Sequence, residues 1–79
     1  MKQATAKELE QMMIDELDKI EDCQGVKSIA INKMQEPGYP NWDTSFLNYG
    51  DGDKYHCNSA LPGIVKRLQA EYEMIDDNT

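Results

Sequence analysis

Three residues carry side chains that do covalent, redox or metal chemistry when brought together: Cys23, His56 and Cys57. Two thiols can close a disulfide, a thiol beside an imidazole can act as a nucleophile, and both groups ligate zinc. The zinc pattern is incomplete. A structural site takes four ligands, and here three are offered, two of them adjacent rather than spaced by two to four residues. Adjacency of His56 and Cys57 does not supply the hydrogen bond that activates a thiol. Free cysteine is most often a small buried hydrophobe, so packed, inert thiols are the ordinary expectation. A thiol or metal site built from Cys23, His56 and Cys57 is the alternative. No catalytic residue, metal or cofactor is assigned from the sequence.

Other polar residues have plain explanations. Asp51-Gly52-Asp53 resembles the start of a calcium loop, but Lys54-Tyr55 occupies the next ligand positions and no glutamate closes the loop. Glycine and aspartate are ordinary turn formers. Glu8, Asp15, Asp18 and Asp22 fall on one helix face and read as a solvated surface. A glycine-rich phosphate loop, a nucleophile elbow and a zinc-binding histidine pair are all missing from the sequence.

The aromatic residues are crowded into one stretch: Tyr39, Trp42, Phe46, Tyr49 and Tyr55. Trp42 and Phe46 are expected in the core. The face of strand 42–49 that is buried stays open, and the two strands cannot bury all five rings. Tyr39, Trp42, Tyr49 and Tyr55 are therefore the candidate interaction surface.

The elements that must position these residues are two helices and a hairpin. Thr5 and Glu8 form a capping box, and Leu9, Met13, Leu17 and Ile20 then recur at helical spacing, so a first helix is expected over 5–22 with Gly25 as its left-handed stop. Val26–Met34 and Trp42–Tyr49 read as strands joined through Pro37-Gly38. Leu61, Ile64, Val65, Leu68, Tyr72 and Ile75 make a second helical stripe over roughly 59–76. Pro62 fits only a first helical turn, which places the start at Asn58, Ser59 or Pro62 itself. In the hairpin, Ile29 and Ile31 should face the helices. The topology returns the second strand to the end where Cys23 lies, so Cys23, His56 and Cys57 can be neighbours.

Bulk composition limits the partners. The chain has 79 residues, 39% hydrophobic and 29% charged, with fifteen acidic against eight basic residues and a formal charge of −7. This is one small domain, which buries only roughly 60–65% of its unfolded surface. Nucleic acid and anionic membranes are disfavoured, because both are bound through an excess of Lys and Arg. With no apolar leader and no run near the ~18 residues of a membrane helix, a cytoplasmic protein with reduced cysteines is expected.

Cys23 closing a helix, Asn41-Trp42 opening a strand, Asn48 and Gly50 ending it, and Cys57 before a helix with Leu68-Gln69 and Tyr72 form a recognisable set. It resembles a group of short, largely proteobacterial proteins of unknown activity with an Asn-Trp hairpin between two helices. The resemblance implies an α-β-β-α layout and a cytosolic bacterial setting, and carries over no functional residue. The order is also similar to that of double-stranded-RNA-binding domains, in topology alone, since the basic residues are missing.

The expected fold is α+β: α-β-β-α, a two-stranded antiparallel sheet with two helices on one face and room for a short third strand near 53–57. Residues 1–79 form one domain, with 1–4 and 76–79 frayed. The expected function is a small non-catalytic protein-interaction or regulatory module that self-associates as a homodimer through its uncovered sheet face or an edge. The alternatives are the Cys23, His56 and Cys57 site and an acidic decoy of a nucleic-acid-binding protein.

Overall fold

The first helix starts where its capping box places it. Thr5 Oγ1 accepts the Glu8 N–H at 3.2 Å and the Glu8 carboxylate accepts the Thr5 N–H at 3.0 Å. In the computed structural model, which describes residues 1–75 (the side chains of Phe46 and Leu47 excepted), helix α1 spans Ala6–Asp18. Leu9, Met13 and Leu17 are fully buried on one face. The helix ends before residue 22, and a 3₁₀ turn, Glu21–Cys23, follows. Acids crowd this end with no base in the last turn, which the helix dipole disfavours. Gly25, at φ +88°, then redirects the chain.

Strands β2 (Ser28–Lys33) and β3 (Trp42–Asn48) pair antiparallel, with Ile29 opposite Phe46 and Lys33 opposite Trp42. Ser28 lies opposite Asn48, so Leu47 is the extra residue of a bulge. Met34 N–H donates to the Asn41 carbonyl at 2.9 Å. This makes 34 and 41 a hydrogen-bonded pair, and alternation turns the backbone groups of Ile29, Trp42 and Thr44 away from the partner strand. Two outward groups are taken by helices. The Ile29 N–H donates to Glu10 at 3.0 Å, and the Trp42 carbonyl accepts from Gln69 Nε2 at 2.7 Å.

Helix α2 spans Lys54–Glu71, beginning earlier than Asn58. Its cap is Asp53, whose Oδ1 accepts the N–H groups of Tyr55 and His56 at 2.9 and 3.1 Å. Residues 54–57 are therefore a helical turn instead of a third strand of the hairpin, and Pro62 lies inside the helix. Cys57, Leu61, Val65 and Leu68 are its buried residues.

The expected four-element order is incomplete, because a strand flanks it on each side. Lys2–Thr5 is strand β1 rather than a frayed end, and Tyr72–Ile75 is strand β4 rather than the last turn of a helix. They pair in parallel, Lys2 with Tyr72 through Thr5 with Ile75. Tyr72 and Ile75 match a helical period, but Tyr72 and Met74, two apart, are the pair that packs on the core. Ile75, expected in the core, is 38% exposed. Residues 76–79 lie outside the described residues.

Among the described residues the fold is thus α+β with two α-helices and two small sheets, β1–β4 parallel and β2–β3 antiparallel. One core of Ala4, Leu9, Met13, Leu17, Ile29, Trp42, Leu61, Val65 and Leu68, with both cysteines, serves all of it. Ile20, Ile31, Ile64 and Tyr72, expected inside, are half-buried against it. Among the described residues no helix is long and apolar enough to cross a membrane.

The hairpin reaches β4 through Asn41. Its Nδ2 donates to the Met74 carbonyl and its Oδ1 accepts the Met74 N–H, both at 2.9 Å. Replacing Asn41 with Ala removes both bonds and is expected to cost about 2 kcal/mol. Urea unfolding checks this, and a loss under about 0.5 kcal/mol would mean that the contact is incidental.

Candidate functional site

The end of α1 and the start of α2 are brought together by backbone bonds. Asp53 N–H donates to the Asp22 carbonyl at 2.6 Å, and Asp51 N–H to the Gly25 carbonyl at 3.4 Å. The crossing is tight: a Cβ on Gly50, which has φ +57°, would collide with the Gly25 carbonyl. Beneath it Cys23 and Cys57 are joined by a disulfide, with their Cα atoms 5.5 Å apart. Both residues are fully buried. Reduced, inert thiols were the ordinary expectation. Two fixed helix ends at the span of a disulfide replace it.

His56 is close by but belongs to the surface. Its Nδ1 lies 3.2 Å from Asp22 Oδ2 and 3.6 Å from Asp53 Oδ1, and its side chain is 56% exposed. The three residues proposed as a thiol or metal site are thus neighbours, with both sulfurs bonded to each other. Among the described residues no group of three or more His, Cys, Asp or Glu is placed to hold a metal ion. The Asp53 carboxyl is held below the usual carboxylate range, chiefly by the His56 N–H, with the His56 ring and the Tyr55 N–H assisting and partial desolvation opposing.

The four aromatic candidates part company. Trp42 is fully buried and its Nε1 donates to the Tyr72 carbonyl at 3.1 Å, so it belongs to the core and not to a contact surface. Tyr39 is 64% and Tyr55 79% exposed. The Tyr39 hydroxyl donates to Glu73 at 2.7 Å, a bond that lowers the Glu73 pKa and raises that of Tyr39. Tyr49 is half-buried, and its hydroxyl donates to Asn58 Oδ1 at 2.8 Å.

Tyr49 and Asn58 stand at one end of a groove between β3 and α2, of about 680 Å³. Asp43, Thr44 and Ser45 form one wall, and Leu61, Pro62, Gly63, Val65 and Lys66 the other. Its volume falls within the ~300–1,000 Å³ typical of binding pockets. Its surface is mainly apolar, and Asp43 and Lys66 are the charged residues that line it. Of the sequence candidates only Tyr49 contributes. A signal for the rest was present in Pro62-Gly63, two poor helix formers inside an otherwise regular helical stripe.

Comparison with known protein families, with curated proteins and with solved structures finds no match to this chain.

Two outcomes follow from the disulfide end. Cys23 and Cys57 are 34 residues apart, and opening such a loop is expected to cost about 3–4 kcal/mol. Urea unfolding with and without reductant measures it, and coincident curves with two titratable thiols would exclude the bond. The second concerns pH. Because folding lowers the Asp53 pKa, its contribution is complete above the ordinary aspartate range and is lost as pH falls through the folded value. Asp53→Asn keeps the cap acceptor without titrating, so its melting temperature should fall less between about pH 5 and pH 2 than that of the parent. Parallel profiles would contradict the assignment.

Proposed function

We propose that this protein is a non-catalytic interaction module that offers the groove between β3 and α2 to a partner protein. The observation that carries the reading is the groove itself, an apolar trough whose one wall is the outer side of a strand. The residues able to do chemistry have other work. Cys23 and Cys57 hold two elements together, Asp53 caps α2, and His56 lies against Asp22. This weighs against the thiol or metal alternative. An acidic decoy would need its acids on one continuous surface, and the tail that was to complete it, 76–79, lies outside the described residues.

Self-association through an edge has less support than a foreign partner. The outer side of β4 is occupied by Asn41 and the Trp42 indole, and the outward N–H of Ile29 on β2 by Glu10. Such coverage is how proteins suppress edge-to-edge pairing. The disulfide bears on the setting. Such bonds persist in oxidising compartments and are rare in the cytoplasm, so it favours the former over the cytoplasmic location expected from sequence.

A photo-crosslinking residue placed at Ser45, in the groove wall, should yield a discrete protein adduct in extracts of the native host. The same group at Lys7, on the exposed side of α1, should not. Equal labelling at both positions, or none at Ser45, would defeat the proposal.

A further inference from the structure

We infer that the Cys23–Cys57 disulfide is a redox control on the groove. Bonded, it holds the Tyr49–Asn58 end in the shape the partner meets; reduced, it releases that end. This rests on the interaction-module reading and specifies how that site is regulated.

The first support is a continuous path from the bond to the groove. Cys57 lies in the first turn of α2, between two residues that hold Tyr49. Asn58 accepts the Tyr49 hydroxyl at 2.8 Å, and Lys54 Nζ stands 5.9 Å from the centre of the Tyr49 ring. Gly52 joins them from the other side. Its N–H donates to the Tyr49 carbonyl at 2.9 Å, and a Cβ built on it would lie 3.1 Å from that oxygen and 3.2 Å from Cys57 Sγ. The glycine turn thus packs on the sulfur and on Tyr49 together, and Tyr49 and Asn58 line the groove.

The second is room. Two thiols need more space than one disulfide, because sulfur atoms that are not bonded stand at van der Waals distance. Cys23 and Cys57 are both fully buried, so their sulfurs separate only if a neighbour yields. Each cysteine sits in a helical turn, whereas residues 49–53 belong to no helix or strand. Within that stretch Asp51 is held to Gly25 by a long bond of 3.4 Å. The 49–53 turn is the part that gives way, and it carries Tyr49 with it.

The third is that the reduced form is also provided for. Cys57 Sγ lies 3.8 Å from the Asp22 carbonyl oxygen, where a disulfide has no proton to give and a thiol has one. The Asp53 N–H bond to the same carbonyl needs no sulfur, and neither do the bonds of Asn41 and Trp42. Reduction therefore loosens one end of a folded domain.

The chemistry is exchange with a dithiol reductant. When the Gly52 turn lifts, one reductant thiolate attacks Cys57 Sγ, the bond to Cys23 breaks, and Cys23 leaves as a thiolate that takes a proton from water. The second reductant thiolate attacks its own sulfur in the mixed disulfide and expels Cys57, which is protonated in turn. The reductant gives up two electrons and two protons and departs as a disulfide. In an oxidising compartment the bonded form is the resting state, and the dithiol is the signal.

The test uses the whole protein labelled with ¹⁵N. It has two cysteines, so dithiothreitol acts on this bond alone. Reduction should shift the Tyr49 amide and the Asn58 side-chain amide, spare the amides of Asn41 and Met74, and reverse on reoxidation. The adduct yield at Ser45 should fall about fivefold or more. Tyr49→Phe, which keeps the ring and loses the hydroxyl, should remove most of that difference. Gly52→Ala crowds the same turn with the bond intact, and should lower the yield in unreduced extract, where the partner's own thiols are unchanged. Unfolding on reduction, an unmoved Tyr49, or a Gly52→Ala protein as reactive as the parent would each overturn the inference. Equal adducts in both redox states defeat it and leave the interaction module standing, and no adduct in either state defeats both.

Discussion

Asn41 and Trp42 hold three parts of the molecule in contact. Asn41 meets both backbone groups of Met74, the Trp42 indole meets the Tyr72 carbonyl, and the Trp42 carbonyl meets Gln69 of α2. Trp42 is fully buried and the bonds around it are partly buried, which reduces the competition from water. A two-stranded hairpin is marginal alone, and so is a two-stranded parallel pair. Each becomes stable here because this dipeptide seats one against the other over a shared core. The groove inherits its geometry from the same junction, since Gln69 fixes how near α2 lies to β3.

The opposite end of the domain is held covalently. The disulfide ties the turn after α1 to the first turn of α2, and the loop crossing at Gly25 and Gly50 closes over it. For a chain of 79 residues with a small core, such a staple supplies stability that burial alone does not. Together the two junctions grip α2 at both ends and leave its middle, around Pro62 and Gly63, facing the groove.

What the sequence revealed followed the strength of its local signals. The capping box at Thr5 and Glu8 and the buried face of Leu9, Met13 and Leu17 were legible because they are local and periodic. The hairpin was legible from its turn residues, though the bulge at Leu47 was not, since both faces of strand 42–49 carry apolar residues. The terminal strands were invisible. Lys2–Thr5 has no strand pattern of its own, and its partner lies 70 residues away, beyond the reach of any local reading. Tyr72 and Ile75 matched the helical period by coincidence. Pro62 points to a start at Asn58, Ser59 or Pro62 itself, whereas the cap is Asp53, and the proline inside the helix lines the groove.

The pairing of β1 with β4 has a consequence for how the protein is made. A ribosome delivers Lys2–Thr5 long before Tyr72–Ile75, so β1 has no mate while everything between is being synthesised. The α1 cap can form early, since Thr5 and Glu8 are near neighbours, and the hairpin can close in transit. The docking of Asn41 and Trp42 must wait, because their acceptors and donors also lie on the closing strand. The two sheets can therefore be seated on one another only after Tyr72–Ile75 has emerged, because the contacts that join them end on that strand.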